Sequence, residues 1–151
     1  MRLSRFSDYA LRAALYLAAH EGRLAPIAEI ARAHDLSQSN LMKVVNMLVD
    51  GGVLRSVRGR SGGVALARPG AEIRVGEIVR LMENDGPMVD CSACLLRGSC
   101  GLVRALREAE NAFYASLDRF TLAEVLRARP GTLELLLGAG PPGASAMAGP
   151  R

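Results

Sequence analysis

The chain has 151 residues and a net charge of +4, and 50% of its residues are hydrophobic but only 4% are aromatic. This length suits one domain, or one domain with a small appendage. The first residues are mixed and charged, which predicts no signal peptide and a cytoplasmic protein. No apolar stretch approaches the roughly 18 residues that span a bilayer, so no membrane partner is expected.

The positive charge is concentrated at one end of the chain. Residues 1–68 contain ten Arg or Lys and five Asp or Glu, a net +5, whereas residues 69–151 contain nine and ten, a net −1. An ordinary solvated surface could carry such charge. The asymmetry is also the pattern expected when one part of a protein meets a polyanion such as nucleic acid.

Three short helices are predicted in the N-terminal half. Apolar residues recur at helical spacing over 7–20, with Ser7 as a candidate N-cap. A second helix follows Pro26 and reaches about residue 34, and Ser37 caps a third over 38–50. Two short helices joined by a tight turn are typical of a helix-turn-helix, in which the second helix is the recognition element.

A hairpin is predicted directly after the third helix. Residues 53–57 and 64–67 alternate like strands, and the glycine-rich segment R-G-R-S-G-G joins them. A hairpin tipped with two arginines after a helix-turn-helix is typical of a wing. The predicted fold class is mainly α with a small β-hairpin wing, a winged helix-turn-helix that binds double-stranded operator DNA.

The predicted DNA contacts come from the start of the recognition helix and from the wing. Gln and Asn side chains can pair with adenine, and Lys reaches guanine or phosphate. Wing arginines suit a minor groove or its flanking phosphates. The predicted set is Gln38, Ser39, Asn40, Lys43, Arg58 and Arg60.

A second region follows Pro69-Gly70. An amphipathic helix is predicted over 73–84, and the longest helix of the chain over 102–120, with Thr121 capping a last short helix. The long helix carries an apolar stripe that needs a partner, most simply the same helix in a homodimer, although part of the stripe is also expected to pack back on its own domain. Its members are Leu102, Leu106, Ala109, Phe113 and Leu117.

These elements predict a three-part organisation of the chain. A winged helix-turn-helix domain covers residues 1–70, and a cysteine loop with the long dimerisation helix covers 71–130. The small-residue end, 131–151, is predicted to be a disordered tail.

All three cysteines, Cys91, Cys94 and Cys100, lie in one loop. Three thiols within ten residues suit a metal or an iron–sulfur cluster better than disulfides, because C-x2-C spacing offers two soft thiolates to one centre. Zinc is the alternative, since three Cys with one His or Asp suit a tetrahedral site. The two histidines, His20 and His34, are interpreted as surface or capping residues, which leaves the fourth ligand open.

Four segments together resemble one family, the Rrf-type winged-helix regulators. They are M-R-L-S-R-F-S-D-Y-A-L-R at the start, L-M-K-V-V in the recognition helix, V-R-G-R-S-G-G-V-x-L-A-R-P in the wing, and the cysteine loop followed by L-x-x-A-L-x-E-A-x-x-A-F. The resemblance covers roughly residues 1–128 and is strongest to the NsrR branch of nitric-oxide-sensing repressors. It implies a dimeric repressor with one cluster per subunit, held by the three cysteines.

The resemblance also implies a fourth ligand. Members of that branch hold a [4Fe–4S] cluster with an aspartate supplied across the dimer, and Asp8 matches that position. The iron–sulfur assembly regulators of the family instead use a histidine three residues after the last cysteine, where this chain has Val103. The first two cysteines are closer together than is common in relatives, which leaves a [2Fe–2S] cluster or a different ligand set as alternatives. Asp8 would otherwise be a carboxylate favoured by the helix dipole.

The resulting functional hypothesis is a DNA-binding repressor that senses nitric oxide through an iron–sulfur cluster. Two alternatives stay open: an iron- or redox-responsive regulator of the same family, and a zinc-stabilised DNA-binding module without sensing. An enzyme is not expected, because the sequence offers no Ser/His/Asp or Cys/His grouping and no phosphate loop.

Overall fold

A computed structural model describes residues 2–83, 86–129 and 131–138 of the chain. Helices α1, α2 and α3 are followed by a two-stranded hairpin and then by four helices, α4 to α7. The bounds in chain order are α1 Arg5–Ala19, α2 Ile27–Ala33, α3 Gln38–Asp50, β1 Leu54–Val57, β2 Gly63–Leu66, α4 Val75–Met82, α5 Leu102–Leu117, α6 Leu122–Arg127 and α7 Thr132–Gly138. The predicted fold class, a mainly helical protein with a small antiparallel hairpin, is confirmed.

Local sequence signals explain most helix boundaries. Ser37 accepts a hydrogen bond from the Asn40 amide at 3.5 Å and caps α3 as predicted. Thr121 and Glu124 form a reciprocal capping box at the start of α6, also as predicted for Thr121. The N-cap predicted for α1 is wrong by one turn, because Ser4 accepts the hydrogen bond from the Ser7 amide at 3.1 Å.

The hairpin is an antiparallel pair with Leu54 opposite Leu66 and Val57 opposite Gly63. The α1–α2 connection adds a short third edge, because Ala25 and Val64 exchange two backbone hydrogen bonds of 2.9 Å. The wing is therefore attached to the helix-turn-helix by its backbone as well as by side chains.

One hydrophobic core joins both predicted regions. It contains Leu17 of α1, Leu41 of α3, Ile78 of α4 and Leu122 of α6, all buried. The amphipathic helix and the capped helix that follow the wing thus complete the core of the DNA-binding half. Among the helices of the described residues, none combines the length and the apolar character needed to cross a bilayer.

The predicted disordered tail is corrected over part of its length, because Thr132–Gly138 form α7. Leu136 packs on the core and the helix contacts α1 and α6. The partly buried Leu136 helps to hold α7 against the core, although the composition of this segment is typical of a linker. The rest of the predicted tail, 139–151, lies outside the described residues.

Candidate nucleic-acid interface and cysteine loop

The recognition helix α3 presents its predicted contact residues to solvent. Gln38, Ser39 and Lys43 are exposed and Asn40 is half-buried. The opposite face is fixed because Leu41, Val44, Val45 and Leu48 are all buried in the core. The orientation of the polar face therefore follows from the helical period of 3.6 residues.

A tight turn sets the angle between α2 and α3. Asp35 adopts a positive φ of 51°, a conformation that Asp tolerates better than most residues. The Leu36 amide donates to the Ala31 carbonyl at 2.8 Å and closes the end of α2. This turn places Ser37 at the start of the recognition helix.

The wing carries both predicted arginines at its tip. Arg58 and Arg60 are exposed in the loop between β1 and β2. The loop is tight, because a Cβ added at Gly62 would lie 2.2 Å from the Val57 carbonyl oxygen. Glycine is thus required there, and the tight turn projects the two guanidinium groups away from the core.

Three hydrogen-bonded polar side chains, Tyr16, Arg23 and Glu29, link α1 to α2. The Tyr16 hydroxyl donates to Glu29 Oε1 at 2.6 Å, and Arg23 donates to the same oxygen at 2.5 Å. Burial and the hydrogen bond to Glu29 raise the pKa of Tyr16 to about 12. Burial alone would raise the pKa of Glu29, but the hydrogen bonds from Arg23 and Tyr16 outweigh it and lower that pKa.

The two histidines occupy the capping positions predicted for them but are half-buried rather than on the surface. His20 stacks on Tyr16 with ring centroids 4.3 Å apart, and its Nδ1 lies 2.9 Å from the Tyr16 carbonyl oxygen. His34 Nε2 is buried without a hydrogen-bond partner among the described residues. Burial and the charge of Arg12 lower the pKa of His34, so its neutral form is favoured.

The three cysteines lie in the connection between α4 and α5. Cys94 is exposed, Cys91 and Cys100 are partly exposed, and all three are free thiols. Local turns shape the loop: the Cys94 amide donates to the Cys91 carbonyl at 3.3 Å, and the Arg97 amide donates to the Cys94 carbonyl at 3.1 Å. The loop is thus built from short-range hydrogen bonds on the surface.

Within one chain, the described residues do not bring the predicted ligands, the three cysteines and Asp8, together in one metal site. No group of three His, Cys, Asp or Glu residues among the described residues is arranged to hold a metal ion. Asp8 lies on α1, half-exposed, and pairs with Arg12 at 2.9 Å. The donor chemistry nevertheless fits a cluster, because three free, solvent-accessible thiols in one loop are the ligand type that iron–sulfur groups take.

Helix α5 exposes most of its surface. None of its residues is buried, and Leu102 is 61% exposed. One end is fastened to α4, because Arg80 donates to both carboxylate oxygens of Asp118 at 2.8 and 2.5 Å and lies 4.6 Å from the Tyr114 ring centroid. The apolar stripe predicted for dimerisation is partly covered within one chain, because Leu106 and Phe113 are partly buried whereas Leu102 is exposed.

Two polar residues outside the predicted set stand out. Asn46 is exposed and follows Ser39 and Lys43 on the same face of α3, as spacings of seven and three residues require. Glu83, at the C-cap of α4, accepts hydrogen bonds from the start of α1. Helical periodicity could have added Asn46, whereas no local pattern marks the partners of Glu83.

These features define a class of protein, the winged-helix DNA-binding regulators, with an added cysteine loop. The Rrf2 family, described as iron-dependent transcriptional regulators, matches residues 3–128. The chain belongs to this family. A Rhizobium meliloti (strain 1021) protein named aau3 is 41% identical over 143 residues, which cover 91% of this chain and 92% of that protein.

Solved structures of transcriptional regulators have the same architecture. The B. subtilis global cysteine regulator CymR is similar with a TM-score of 0.70 and 26% identity, over 85% of this chain and 98% of that one. IscR from T. potens is similar with a TM-score of 0.69 and 28% identity, over 85% of this chain and 88% of that one. The family resemblance expected from the sequence is thereby confirmed at the level of the family.

Proposed function

We propose that the chain is a DNA-binding repressor that senses nitric oxide through an iron–sulfur cluster, [4Fe–4S] or, as the alternative, [2Fe–2S]. The observation that carries this proposal is the concentration of all three thiols in one exposed loop, free of disulfides, on a chain of the Rrf2 family. Soft thiolates grouped in this way suit cluster iron, and zinc is the alternative metal for the same three cysteines.

Cys91, Cys94 and Cys100 would hold the cluster, and Asp8 of the partner subunit would supply the fourth ligand. Such a cluster supplies an iron that is open to a small diatomic, because an oxygen donor binds it more weakly than a thiolate does. Among the described residues, the Asp8 carboxylate pairs with Arg12 at 2.9 Å, and the Asp8 side chain stays about half exposed. It is therefore accessible to a second chain.

The homodimer is supported by the exposed apolar stripe of α5. None of the 16 residues of this helix is fully buried, and Leu102 is 61% exposed, so part of the apolar face has no partner among the described residues. Pairing two copies about a twofold axis would cover both stripes at once. It would also bring the loop of one chain toward the second chain, as a ligand supplied across the dimer requires.

DNA contact would use the exposed start of α3 and the wing. Gln38 and Asn40 can read base edges, Ser39 and Lys43 can add base or phosphate contacts, and the wing arginines Arg58 and Arg60 can enter a minor groove. The excess positive charge in this half of the chain favours such a partner. Cluster loss would then change how the two recognition helices are held.

Anaerobic purification of the full chain tests the proposal. We expect a coloured protein with iron and acid-labile sulfide, and a visible spectrum that changes on titration with nitric oxide. DNA affinity should be measured at one salt concentration, before and after the titration, with duplexes that the protein selects from a random-sequence library.

The other outcomes separate the alternatives. A coloured protein that is indifferent to nitric oxide but loses DNA affinity on iron depletion or oxidation would favour an iron- or redox-responsive regulator, the type suggested by the similarity to IscR. A colourless protein with one zinc per chain would favour the zinc-stabilised module and would contradict the proposal.

A further inference from the structure

Glu83 connects the start of the cysteine loop to the first turn of α1. Its Oε1 accepts a hydrogen bond from the Ser4 amide at 2.6 Å and another from the Ser7 hydroxyl at 2.5 Å. These partners are 79 and 76 residues away along the chain. The two bonds therefore join the helix that leads into the loop to the helix that opens the DNA-binding half.

The α1 side of this connection is an ordered polar network. Ser4 is the N-cap of α1 and accepts from the Ser7 amide at 3.1 Å, while Ser7 itself is fully buried. A buried hydroxyl that loses its acceptor is costly, so Ser7 favours the arrangement in which Glu83 stays in place. The position of Glu83 and the geometry of the first turn are thus linked.

The loop side of the connection lies where three parts of the chain meet. A groove of about 240 Å³ beside Glu83 is lined by Leu3 of the N-terminal segment, Met88 of the loop, and Phe113 and Tyr114 of α5. A rearrangement of the loop at Met88 would therefore change the packing beside Glu83.

Helix α1 then connects this point to the recognition helix. It packs directly against α3, and its buried Ala13 and Leu17 share one core with Leu41 and Val45. A shift of the first turn of α1 is therefore passed to α3 by side chains already in contact, because packed cores change between discrete arrangements rather than deform continuously.

We propose that Glu83 is a positioning residue that couples the state of the cysteine loop to DNA affinity, by holding the first turn of α1 through Ser4 and Ser7. This inference rests on the proposed function, because it assumes that the loop has a loaded and an empty state. It adds the path within one subunit by which the difference reaches α3.

The test compares DNA affinity with and without the cluster in variants of the full chain. For each variant, the dissociation constant is measured for a duplex that the wild type selects from a random-sequence library, with anaerobically loaded and with metal-free protein. The ratio of the two constants measures the coupling. We expect Glu83→Ala and Ser7→Ala each to reduce this ratio by roughly 2- to 30-fold.

Three further variants make the result specific. The double variant Glu83→Ala/Ser7→Ala should reduce the ratio no more than either single change, because both remove one connection. Glu83→Gln keeps an acceptor oxygen and should retain most of the ratio. Glu72→Ala, at an exposed glutamate whose side chain makes no hydrogen bond among the described residues, should leave the ratio unchanged.

Hydrogen exchange in the metal-free protein gives a readout that needs no cluster. Glu83→Ala should speed exchange of the first-turn amides of α1, and Glu72→Ala should not. An unchanged ratio, or strictly additive losses in the double variant, would overturn the inference. Should Glu83→Ala fail to fold, Ser7→Ala and Glu83→Gln decide the question by the same ratio.

The two proposals fail in different ways. If wild-type protein binds DNA equally well with and without the cluster, the proposed function is wrong and the coupling role falls with it. If the wild type shows a difference and the Glu83 and Ser7 variants show the same difference, only the role of Glu83 is wrong.

Discussion

The winged-helix half and the segment after the wing differ in how much of their helical surface is buried within one chain. Helix α1 buries seven of its 15 residues, whereas the 16-residue α5 buries none. The first is a helix completed by its own chain. The second carries an apolar face of similar periodicity that its own chain covers only in part, because Leu106 and Phe113 are partly buried whereas Leu102 is exposed.

Polar groups follow the same division. In the winged-helix half, the buried Tyr16 and Glu29 and the half-buried Arg23 hydrogen-bond to one another. Among the described residues of the loop, the backbone hydrogen bonds of the cysteines form local turns, and Asp90 accepts from the Ser92 amide at 2.8 Å on the surface. The winged-helix half therefore contains a buried polar network, whereas the hydrogen bonds of the loop join near neighbours in the sequence.

The largest effect should come from the cysteines. Replacing Cys91, Cys94 or Cys100 with Ala should abolish or gravely weaken cluster binding, because each would supply a thiolate that no other residue can replace, and should leave the winged helix folded. Iron and sulfide content measures the first outcome and far-UV circular dichroism the second. Ser99→Ala in the same loop is the matched control, and full iron retention in any cysteine variant contradicts the ligand assignment.

Two leucine substitutions, one in each region, test this comparison directly. Leu41→Ala removes a fully buried side chain and should lower the free energy of unfolding by about 2–5 kcal/mol. Leu102→Ala, on the exposed stripe, should change it by about 0.5 kcal/mol or less at concentrations where the chain is monomeric, but should weaken self-association. Denaturant unfolding and sedimentation measure the two effects. Equal destabilisation by both would mean that α5 packs within its own chain.

Substitutions on the predicted DNA-binding surface should have different effects on the wing and on the recognition helix. Arg60→Ala should weaken binding to all duplexes, because a wing arginine contacts phosphates or a groove, whereas Gln38→Ala should relax sequence preference at a cost of ~1–3 kcal/mol for the preferred base. Titrations at fixed salt with selected and scrambled duplexes measure both. Arg127→Ala, exposed on α6, is the control. Unchanged affinity in Arg60→Ala would remove the wing from the interface.

The buried carboxylate should make the winged-helix half sensitive to acid. The pKa of Glu29 is lower in the folded protein than its usual 4.5, so its stabilising contribution is fully present above pH 4.5 and is lost as the pH falls through the folded pKa. Glu29→Gln should cost about 1–3 kcal/mol at neutral pH and flatten the fall in Tm below pH 4.5. An equally steep fall in the variant would assign the acid sensitivity elsewhere.

Asp8→Ala should have only a small effect on stability. It removes an exposed pair with Arg12 and a helix-start carboxylate, a loss of about 0.3–1 kcal/mol. The anaerobic protein should stay coloured, with a more labile cluster and an altered response to nitric oxide. Spectra and a nitric oxide titration identical to the wild type would show that Asp8 is not a ligand and would weaken the assignment to the nitric-oxide-sensing branch.

Much of the fold could be predicted because its signals are local. Helical spacing gave α3 its bounds at 38–50, and Ser37 and Thr121 were recognisable as caps from their positions alone. The alternation of apolar and polar residues over 53–57 and 64–67, with glycines between them, predicted the hairpin of the wing. The tail was misjudged over 132–138, because its composition resembles a linker and nothing local shows that Leu136 has a core to pack against.

The candidate site was predicted unevenly for the same reason. The spacing of three cysteines within ten residues is enough to predict a metal or cluster site. The cap at Ser37 is enough to predict where the recognition helix begins. The sequence could not show that Asp8 and the cysteines lie apart within one chain, since that depends on where α1 and the loop are placed. The predicted ligands and DNA contacts therefore stay predictions that the experiments above decide.

The sequence by itself determined the helices α1 to α6, the wing and the clustered thiols, because each depends on residues within a few positions of one another. Only the tertiary structure decided that Ala25 pairs with Val64, and that Glu83 bonds to Ser4 and Ser7. These contacts join residues about 40 to 80 positions apart, and no periodicity encodes them. They form because burial of the common core brings the segments together, and buried polar groups must then find partners wherever the fold has placed them.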